Sequence, residues 1–113
     1  DQSVRNMTEQ PFVNGVRVTL EREAYKPAMT PDAGTEQLMA LVERCGAKMG
    51  LPITWQAVGG GSDANLTAVL GVPTLDGLGP IGAGFHSEDE YLDLDSIEPR
   101  IRLLQAVLTE LAR

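Results

Sequence analysis

The sequence predicts an α/β fold, and two observations carry that prediction. The chain has 113 residues, of which 42% are hydrophobic and 22% charged, so it is globular and long enough for a single core of ordinary size. Along the chain, apolar residues change between helical spacing and short strand-like runs, in the order helix, strand, helix, strand, helix. Because helices that alternate with strands carry the chain back across a sheet, this order predicts parallel strands covered by helices.

The chain before the first clear helix is predicted to contain one strand. Residues 1–11 are polar and show no period, which predicts a frayed terminus. Residues 12–20 alternate apolar and polar side chains, which predicts a half-buried strand with Asn14 and Gly15 as a turn at its start. Residues 22–34 contain two prolines and are interpreted as a linker.

Residues 35–49 form the first predicted helix. Asp32 and Thr35 are candidate N-caps, and Gly50 suits the position just after the last turn. Residues 53–58 are rich in β-branched and aromatic side chains, which predicts a strand. The helix carries one apolar stripe, in which the single cysteine is interpreted as a small core side chain: Leu38, Leu41, Val42, Cys45 and Met49.

The second half of the chain is predicted to hold two helices, a strand and a long loop. Residues 62–70 predict a short helix capped at its first two positions, and residues 72–75 a short buried strand. Residues 76–93 have no sustained period and are interpreted as a loop. The last helix is predicted to begin at Ser96 as N-cap and to present one apolar face: Ile97, Ile101, Leu104, Val107, Leu108 and Leu111.

Composition excludes several classes of function. Lys and Arg number 9 against 16 Asp and Glu, and a formal net charge of −7 is a poor match for the phosphate backbone of a nucleic acid. The apolar runs are too short for a membrane span. A single Cys excludes a disulfide framework and fits a cytoplasmic location. A single His excludes a multi-histidine metal site built from this chain alone.

The glycine loop, residues 58–63, is the first candidate site. Three consecutive glycines let a ligand approach the backbone, and the amides at the start of the following helix can hold an anion. The loop is therefore either a carboxylate or phosphate cradle at the carboxyl end of a strand, or simply a tight turn between strand and helix. Its sequence matches neither a P-loop nor the dinucleotide fingerprint.

The second candidate site is the end of the long loop, which holds the only histidine. A loop of this length in a compact domain is usually functional or disordered, and its apolar residues favour order. His86 alone would most simply be a surface residue. Glycines before it and the acidic run Glu88, Asp89 and Glu90 after it favour a metal ligand, although the acidic run is equally typical of a solvated surface.

Together, three ordered stretches resemble the C-terminal part of the di-zinc exopeptidases. These stretches are residues 59–65 (GGGSDAN), 71–80 (GVPTLDGLGP) and 84–91 (GFHSEDEY). The family includes glutamate carboxypeptidase, aminoacylase, peptidase T and succinyl-diaminopimelate desuccinylase, and the chain is most similar to the glutamate carboxypeptidase branch. The resemblance runs from about residue 27 to the end, and less securely back to residue 13.

The resemblance implies a particular architecture and site. Residues 1–30 would end a lid, or dimerisation, domain and its linker, and residues 31–113 would form the C-terminal part of a three-layer catalytic domain with parallel strands. His86 would bind one zinc ion, and Gly60, Gly61 and Ser62 would contact substrate. Asp63 would cap the helix or orient the loop, with Asp89 and Glu90 in supporting roles.

The resemblance also implies that the chain is an incomplete enzyme. The family's other zinc ligands and its general base have no counterpart here, so the chain alone is expected to be inactive. The intact enzyme would bind two zinc ions, with cobalt or manganese as alternatives. It would hydrolyse an amide beside a free carboxylate, such as a C-terminal glutamate or an N-acyl amino acid, and would form a homodimer. The alternatives are a stand-alone small-anion binding module and a purely structural domain.

One expectation concerns the chain by itself. Parallel strands need neighbours at their edges and helices on both faces, and this chain supplies only two or three strands. We therefore expect exposed apolar surface, and a tendency to self-associate or to bind the missing N-terminal part of the enzyme.

Overall fold

A computed structural model describes residues 2–9, 13–21 and 25–113. It contains four α-helices, a single 3₁₀ turn and two short strands within those ranges. The elements in chain order are α1 (Gln2–Glu9), α2 (Ala33–Lys48), α3 (Ala64–Ala68), β1 (Gly82–Ala83), β2 (Tyr91–Leu92), the 3₁₀ turn (Leu94–Ser96) and α4 (Ile97–Leu111). The described chain is therefore a mixed α/β structure dominated by helices.

Helix α2 confirms the first predicted helix, although it starts two residues earlier than expected. The Asp32 carboxylate accepts a hydrogen bond from the Thr35 backbone N–H at 2.7 Å, which makes Asp32 the N-cap. At the other end Gly50 adopts φ +69, a left-handed conformation that glycine reaches without steric cost. Both ends of this helix were therefore predictable from local chemistry.

The core lies between α2 and α4. Its four buried hydrophobic side chains are Val42 and Cys45 from α2 and Leu103 and Val107 from α4. A ring of partly buried side chains packs around them: Leu41, Leu51, Ile53, Trp55, Leu75, Leu78 and Ala106.

Of the predicted apolar face of α4, the core buries only Val107, and it adds Leu103 from beside that face. Leu103 is completely buried, whereas most of the predicted stripe is exposed to solvent: Ile101, Leu104, Leu108 and Leu111. The face of α4 that contacts α2 is thus displaced around the helix from the predicted one. The helix has apolar side chains on both faces, and only the position of α2 selects between them.

Ser96 does not act as the predicted side-chain cap of α4. Its hydroxyl donates to the Asp93 carbonyl oxygen and accepts the Ile81 backbone N–H at 2.8 Å. The Asp93 carboxylate instead caps the 3₁₀ turn by accepting from the Asp95 N–H at 3.0 Å. Ser96 is buried because it ties the preceding loop to the start of α4.

The three predicted strands do not form within the described residues. Residues 13–20, 53–58 and 72–75 have no strand assignment, and residue 12 lies outside the described ranges. Residues 51–55 nevertheless alternate between partly buried and exposed side chains, with the partly buried set packed against the core. Their side chains therefore follow the predicted period of two, but no neighbouring strand supplies the ladder that defines a sheet.

The predicted loop, residues 76–93, contains a short hairpin over residues 82–92. β1 and β2 pair antiparallel, with Gly82 opposite Leu92 and Ala83 opposite Tyr91. A Cβ atom at Gly82 would lie 2.5 Å from the Tyr91 carbonyl oxygen, so the close approach of the two strands requires glycine there. The only sheet in the described residues is thus antiparallel, whereas the predicted pairing was parallel.

The N-terminal residues also differ from the prediction. Helix α1 replaces the expected frayed terminus, but none of its residues is buried. The turn at Asn14 and Gly15 is confirmed, with the Val16 N–H donating to the Val13 carbonyl oxygen at 3.3 Å. The predicted linker has no regular structure from residue 25 to residue 32, and its residues 22–24 lie outside the described ranges.

Helix α3 is shorter than predicted, at five residues, and residues 69–71 form a turn that ends at Gly71. Within the described residues, no helix is long and apolar enough to cross a membrane.

Candidate functional site

The glycine loop lies open to solvent between the segment that packs on the core and helix α3. A Cβ atom at Gly59 or Gly60 would meet nothing within 4 Å, and one at Gly61 would meet only the Lys26 side chain at 3.7 Å. Val58, which precedes the glycines, is 77% exposed. A ligand therefore has free access to the backbone of the loop.

The backbone amides of the loop divide into engaged and free groups. The Ser62 N–H donates to Asn65 Oδ1 at 2.9 Å, and the Ala64 N–H donates to Ser62 Oγ at 3.2 Å. The amides of Gly59, Gly60 and Gly61 donate to no partner in the described part of the chain. The donors left for an anion therefore lie in the glycines and not at the start of α3.

Asp63 occupies the N-cap position of α3 but makes no capping hydrogen bond with its side chain. Its carboxylate instead accepts from Lys26 Nζ at 2.7 Å, and this contact lowers the pKa of the Asp63 carboxyl. Of the two expected roles, capping the helix or orienting the loop, the side chain does not take the first. The ion pair joins the loop to the segment before α2.

Asn65 was missed by the sequence reasoning. Its side-chain amide donates to the Pro27 carbonyl oxygen at 2.7 Å, while its Oδ1 accepts the Ser62 N–H. The spacing Ser-x-x-Asn resembles a capping box, in which a polar side chain three residues on reaches back to the chain before the helix. That spacing was the available signal.

His86 lies at the tip of the hairpin in a strained backbone conformation. Its φ is +65, and it is the only non-glycine residue in the described ranges with positive φ. The His86 N–H donates to Glu90 Oε2 at 3.1 Å. Ser87 supports the same turn, because its hydroxyl donates to the Gly84 carbonyl oxygen at 2.7 Å and accepts the Asp89 N–H at 3.2 Å.

The imidazole of His86 is available to a ligand. The residue is exposed, and its ring makes no hydrogen bond with any described residue. A neutral imidazole nitrogen with free access suits a borderline metal such as zinc. Across residues 2–9, 13–21 and 25–113, however, no three His, Cys, Asp or Glu side chains come together as a metal site. His86 therefore fits a metal only as one ligand of a set completed by other residues.

The described residues do not join the two candidate sites to each other. The glycine loop is held by residues 26 and 27, and the hairpin tip by its own turn and by Ser96 at its base. No hydrogen bond or ion pair connects the loop with the tip within the described ranges.

Comparisons with known proteins give one family match and two curated relatives. The model of the family described as "Peptidase family M20/M25/M40" matches residues 5–110. An uncharacterised protein of Bacillus subtilis, YqjE, is 28% identical over 102 residues, which cover 88% of this chain and 26% of that protein. Carboxypeptidase G2 of Pseudomonas sp. (strain RS-16) is 29% identical over 97 residues, which cover 85% of this chain and 23% of that protein.

The chain thus spans about a quarter of the length of these curated relatives. No solved structure gives a significant match.

Proposed function

Given that this chain belongs to peptidase family M20/M25/M40, we propose that it is the C-terminal part of a metal-dependent enzyme that hydrolyses an amide bond beside a free carboxylate. The substrate class proposed is a peptide with a C-terminal glutamate, or an N-acyl amino acid. The name of the relative carboxypeptidase G2 supports a carboxypeptidase in particular.

The observation that carries the proposal is the state of His86. Its imidazole is exposed and unbonded, while its backbone is held in a strained conformation by a hydrogen bond to Glu90. Strained residues that the surrounding structure over-determines cluster at functional sites. On this proposal the chain supplies one metal ligand, and the other ligands and the general base come from residues outside it.

When bound, a pair of zinc ions would supply Lewis-acid polarisation of the scissile carbonyl and an activated water. Cobalt or manganese would serve the same role. The contribution of this chain is to hold one imidazole nitrogen at the end of a short, closely paired hairpin.

Recognition of the substrate carboxylate is assigned to the glycine loop. The free amides of Gly60 and Gly61 are donors of the kind that hold an anion, and the exposed loop leaves room for one. The Ser62 N–H is already engaged by Asn65, so Ser62 would contact substrate through its hydroxyl. A stand-alone anion-binding module would use the same free amides, and it is less well supported because the chain matches a peptidase family.

The remaining partner of the chain would be the rest of its own enzyme. We assign residues 1–30 to the end of a lid domain and its linker, and residues 31–113 to a three-layer catalytic domain with parallel strands. The exposed apolar stripe of α4 and the unpaired segments 53–58 and 72–75 are the surfaces that the missing strands would cover. The intact enzyme is proposed to be a cytoplasmic homodimer.

The test is to replace His86 with Ala in the complete enzyme and to measure bound metal and amide hydrolysis. We expect loss of bound metal and a rate at least about a hundredfold lower, because even residues that only support a metal ligand change activity by 10- to 100-fold. Glu88→Gln is the matched control, since Glu88 is exposed and follows two residues later in the same turn. Unchanged metal content and rate in His86→Ala would overturn the proposal.

A further inference from the structure

A short strap of chain is bound to the glycine loop from far away in the sequence. The strap is residues 25–27, which precede α2. Asn65 Nδ2 donates to the carbonyl oxygen of Pro27, 38 residues away, at 2.7 Å. Lys26 Nζ lies 2.7 Å from the Asp63 carboxylate, 37 residues away.

These two contacts differ in strength. The Lys26 side chain is 42% exposed and that of Asp63 is 91% exposed, so water screens this ion pair and it contributes little. The hydrogen bond from Asn65 to Pro27 is half-buried, and removing a half-buried donor leaves a carbonyl oxygen with no partner. Asn65 is therefore the residue that holds the strap.

Asn65 also sets the direction of the loop itself. Its Oδ1 accepts the Ser62 N–H at 2.9 Å, so one planar side-chain amide holds the strap with its nitrogen and the loop with its oxygen. With Ser62 held in this way, the preceding amides of Gly60 and Gly61 remain without a partner in the described chain. The Ser62 N–H is therefore used to hold the loop, whereas the Gly60 and Gly61 N–H groups are left for a ligand.

We propose that Asn65 is a positioning residue that clamps the glycine loop to the strap and so holds the Gly60 and Gly61 amides toward the substrate carboxylate. This inference rests on the proposed function, because it assigns the free amides to that carboxylate.

The clamp is tested by two variants and a control. Asn65→Asp keeps the oxygen that accepts from Ser62 but replaces the donor to Pro27 with a second oxygen. Asn65→Leu removes both hydrogen bonds at similar volume. Gln37→Glu is the matched control, because it makes the same amide-to-acid change at an exposed position of α2.

Amide hydrogen exchange measures the clamp without reference to catalysis. In the complete protein, Asn65→Leu should speed exchange at the Ser62 amide by about fivefold or more, since a hydrogen bond of about 1 kcal/mol or more then no longer opposes opening. The control should exchange like the parent protein. Unchanged exchange at Ser62 would overturn the clamp.

Steady-state kinetics then measures positioning. Asn65→Asp should raise the KM for a substrate with a free carboxylate, and the inhibition constant of free glutamate, by about tenfold, while kcat and bound metal stay within about twofold. An equal loss of kcat and metal content would show a general structural defect and overturn the positioning role. If the parent protein hydrolyses no such substrate, the proposed function fails, and the exchange measurement still decides whether the clamp exists.

Discussion

At the scale of single residues, His86 is the position where local preference and structure conflict. A left-handed backbone costs a non-glycine residue about 1–2 kcal/mol, so His86 needs a stabilising contact that offsets this strain. Glu90 provides that contact, because its carboxylate accepts the His86 N–H. A hydrogen bond to an ionised acceptor is stronger than one between neutral groups, which is why an acid serves here.

Glu90→Gln should weaken metal binding by the complete enzyme about fivefold. The amide oxygen still accepts the His86 N–H, but without the charge the bond loses about 1 kcal/mol of its support for the strained conformation. Metal affinity measured by competition with a chelator checks this, with Glu88→Gln as the control. Equal affinities in Glu90→Gln and the parent enzyme would show that Glu90 does not position His86.

Asp32 provides the pH dependence expected of this chain. The backbone N–H of Thr35, followed by its hydroxyl, stabilises the carboxylate and lowers the pKa of Asp32 below its usual value of 3.8. A group with a lowered pKa contributes stability that is fully present above its unfolded pKa and is lost as the pH falls through its folded pKa. The contribution of this cap to α2 is therefore complete at neutral pH and disappears below about pH 4.

Asp32→Asn should remove this acid-sensitive contribution while retaining a competent N-cap. Between pH 5 and about pH 3, the free energy of unfolding should fall less in Asp32→Asn than in the parent chain. Urea unfolding followed by circular dichroism at each pH measures the difference, and Asp32→Ala should be less stable than both at neutral pH. Parallel pH profiles for Asp32→Asn and the parent chain would contradict the assignment.

At the scale of elements, the two long helices show what local pattern does and does not determine. The N-cap, the apolar stripe and the C-terminal glycine of α2 all predict a helix over nearly the same residues, and this helix forms. Helix α4 has apolar side chains on more than one face, so its sequence pattern is compatible with either orientation. Contact with Val42 and Cys45 buries Leu103 and Val107 and leaves most of the predicted stripe exposed.

Leu103→Ala and Leu108→Ala form a matched pair on α4. Leu103 is completely buried and Leu108 is 63% exposed. In the 113-residue chain we expect Leu103→Ala to lower the free energy of unfolding by about 2–5 kcal/mol and Leu108→Ala by less than about 0.5 kcal/mol. Chemical denaturation gives both values.

In the complete enzyme the same pair should behave differently. If the missing part covers the exposed stripe, Leu108→Ala should there cost about 2 kcal/mol or more, approaching the cost of Leu103→Ala. A negligible effect of Leu108→Ala in both settings would show that no partner covers this face.

At the scale of the whole molecule, the chain has a larger accessible surface and radius of gyration than a compact domain of its mass. Its accessible surface is 9135 Å², whereas a folded chain of 12.1 kDa is expected to expose about 6,000 Å². Its radius of gyration is 19.9 Å, against about 13 Å for a compact domain of this length. Four buried hydrophobic residues make a small core, and many large apolar side chains remain in contact with water.

The isolated chain should therefore self-associate. Apolar surface exposed on this scale is removed from water by association, with other copies or with the rest of the enzyme. Sedimentation velocity over a range of concentrations should show species heavier than the monomer, and adding the complementary N-terminal part should replace them with one defined complex. A monodisperse monomer with a cooperative thermal transition would contradict this prediction.

Elements whose signals are local were predictable from the sequence. The caps of α2 and the turn at Asn14 and Gly15 depend on neighbours within a few residues, and each occupies the predicted place. The strands were not predictable in the same sense, since a strand exists only when another segment supplies its hydrogen-bond ladder. Residues 51–55 show the limit: their burial alternates as predicted, yet no described segment pairs with them.

The sequence by itself determined the family-level resemblance, the main helices and the two places where chemistry is concentrated, because those features depend on residue type and short-range spacing. Only the tertiary structure decided that Ser96 anchors the hairpin, that Asn65 joins the glycine loop to Pro27, and that α4 buries Leu103 in preference to the predicted stripe. Each of these depends on contacts between segments far apart in the chain. The spacing of residues along the sequence does not determine which distant segment a side chain contacts, or which face of a helix is buried.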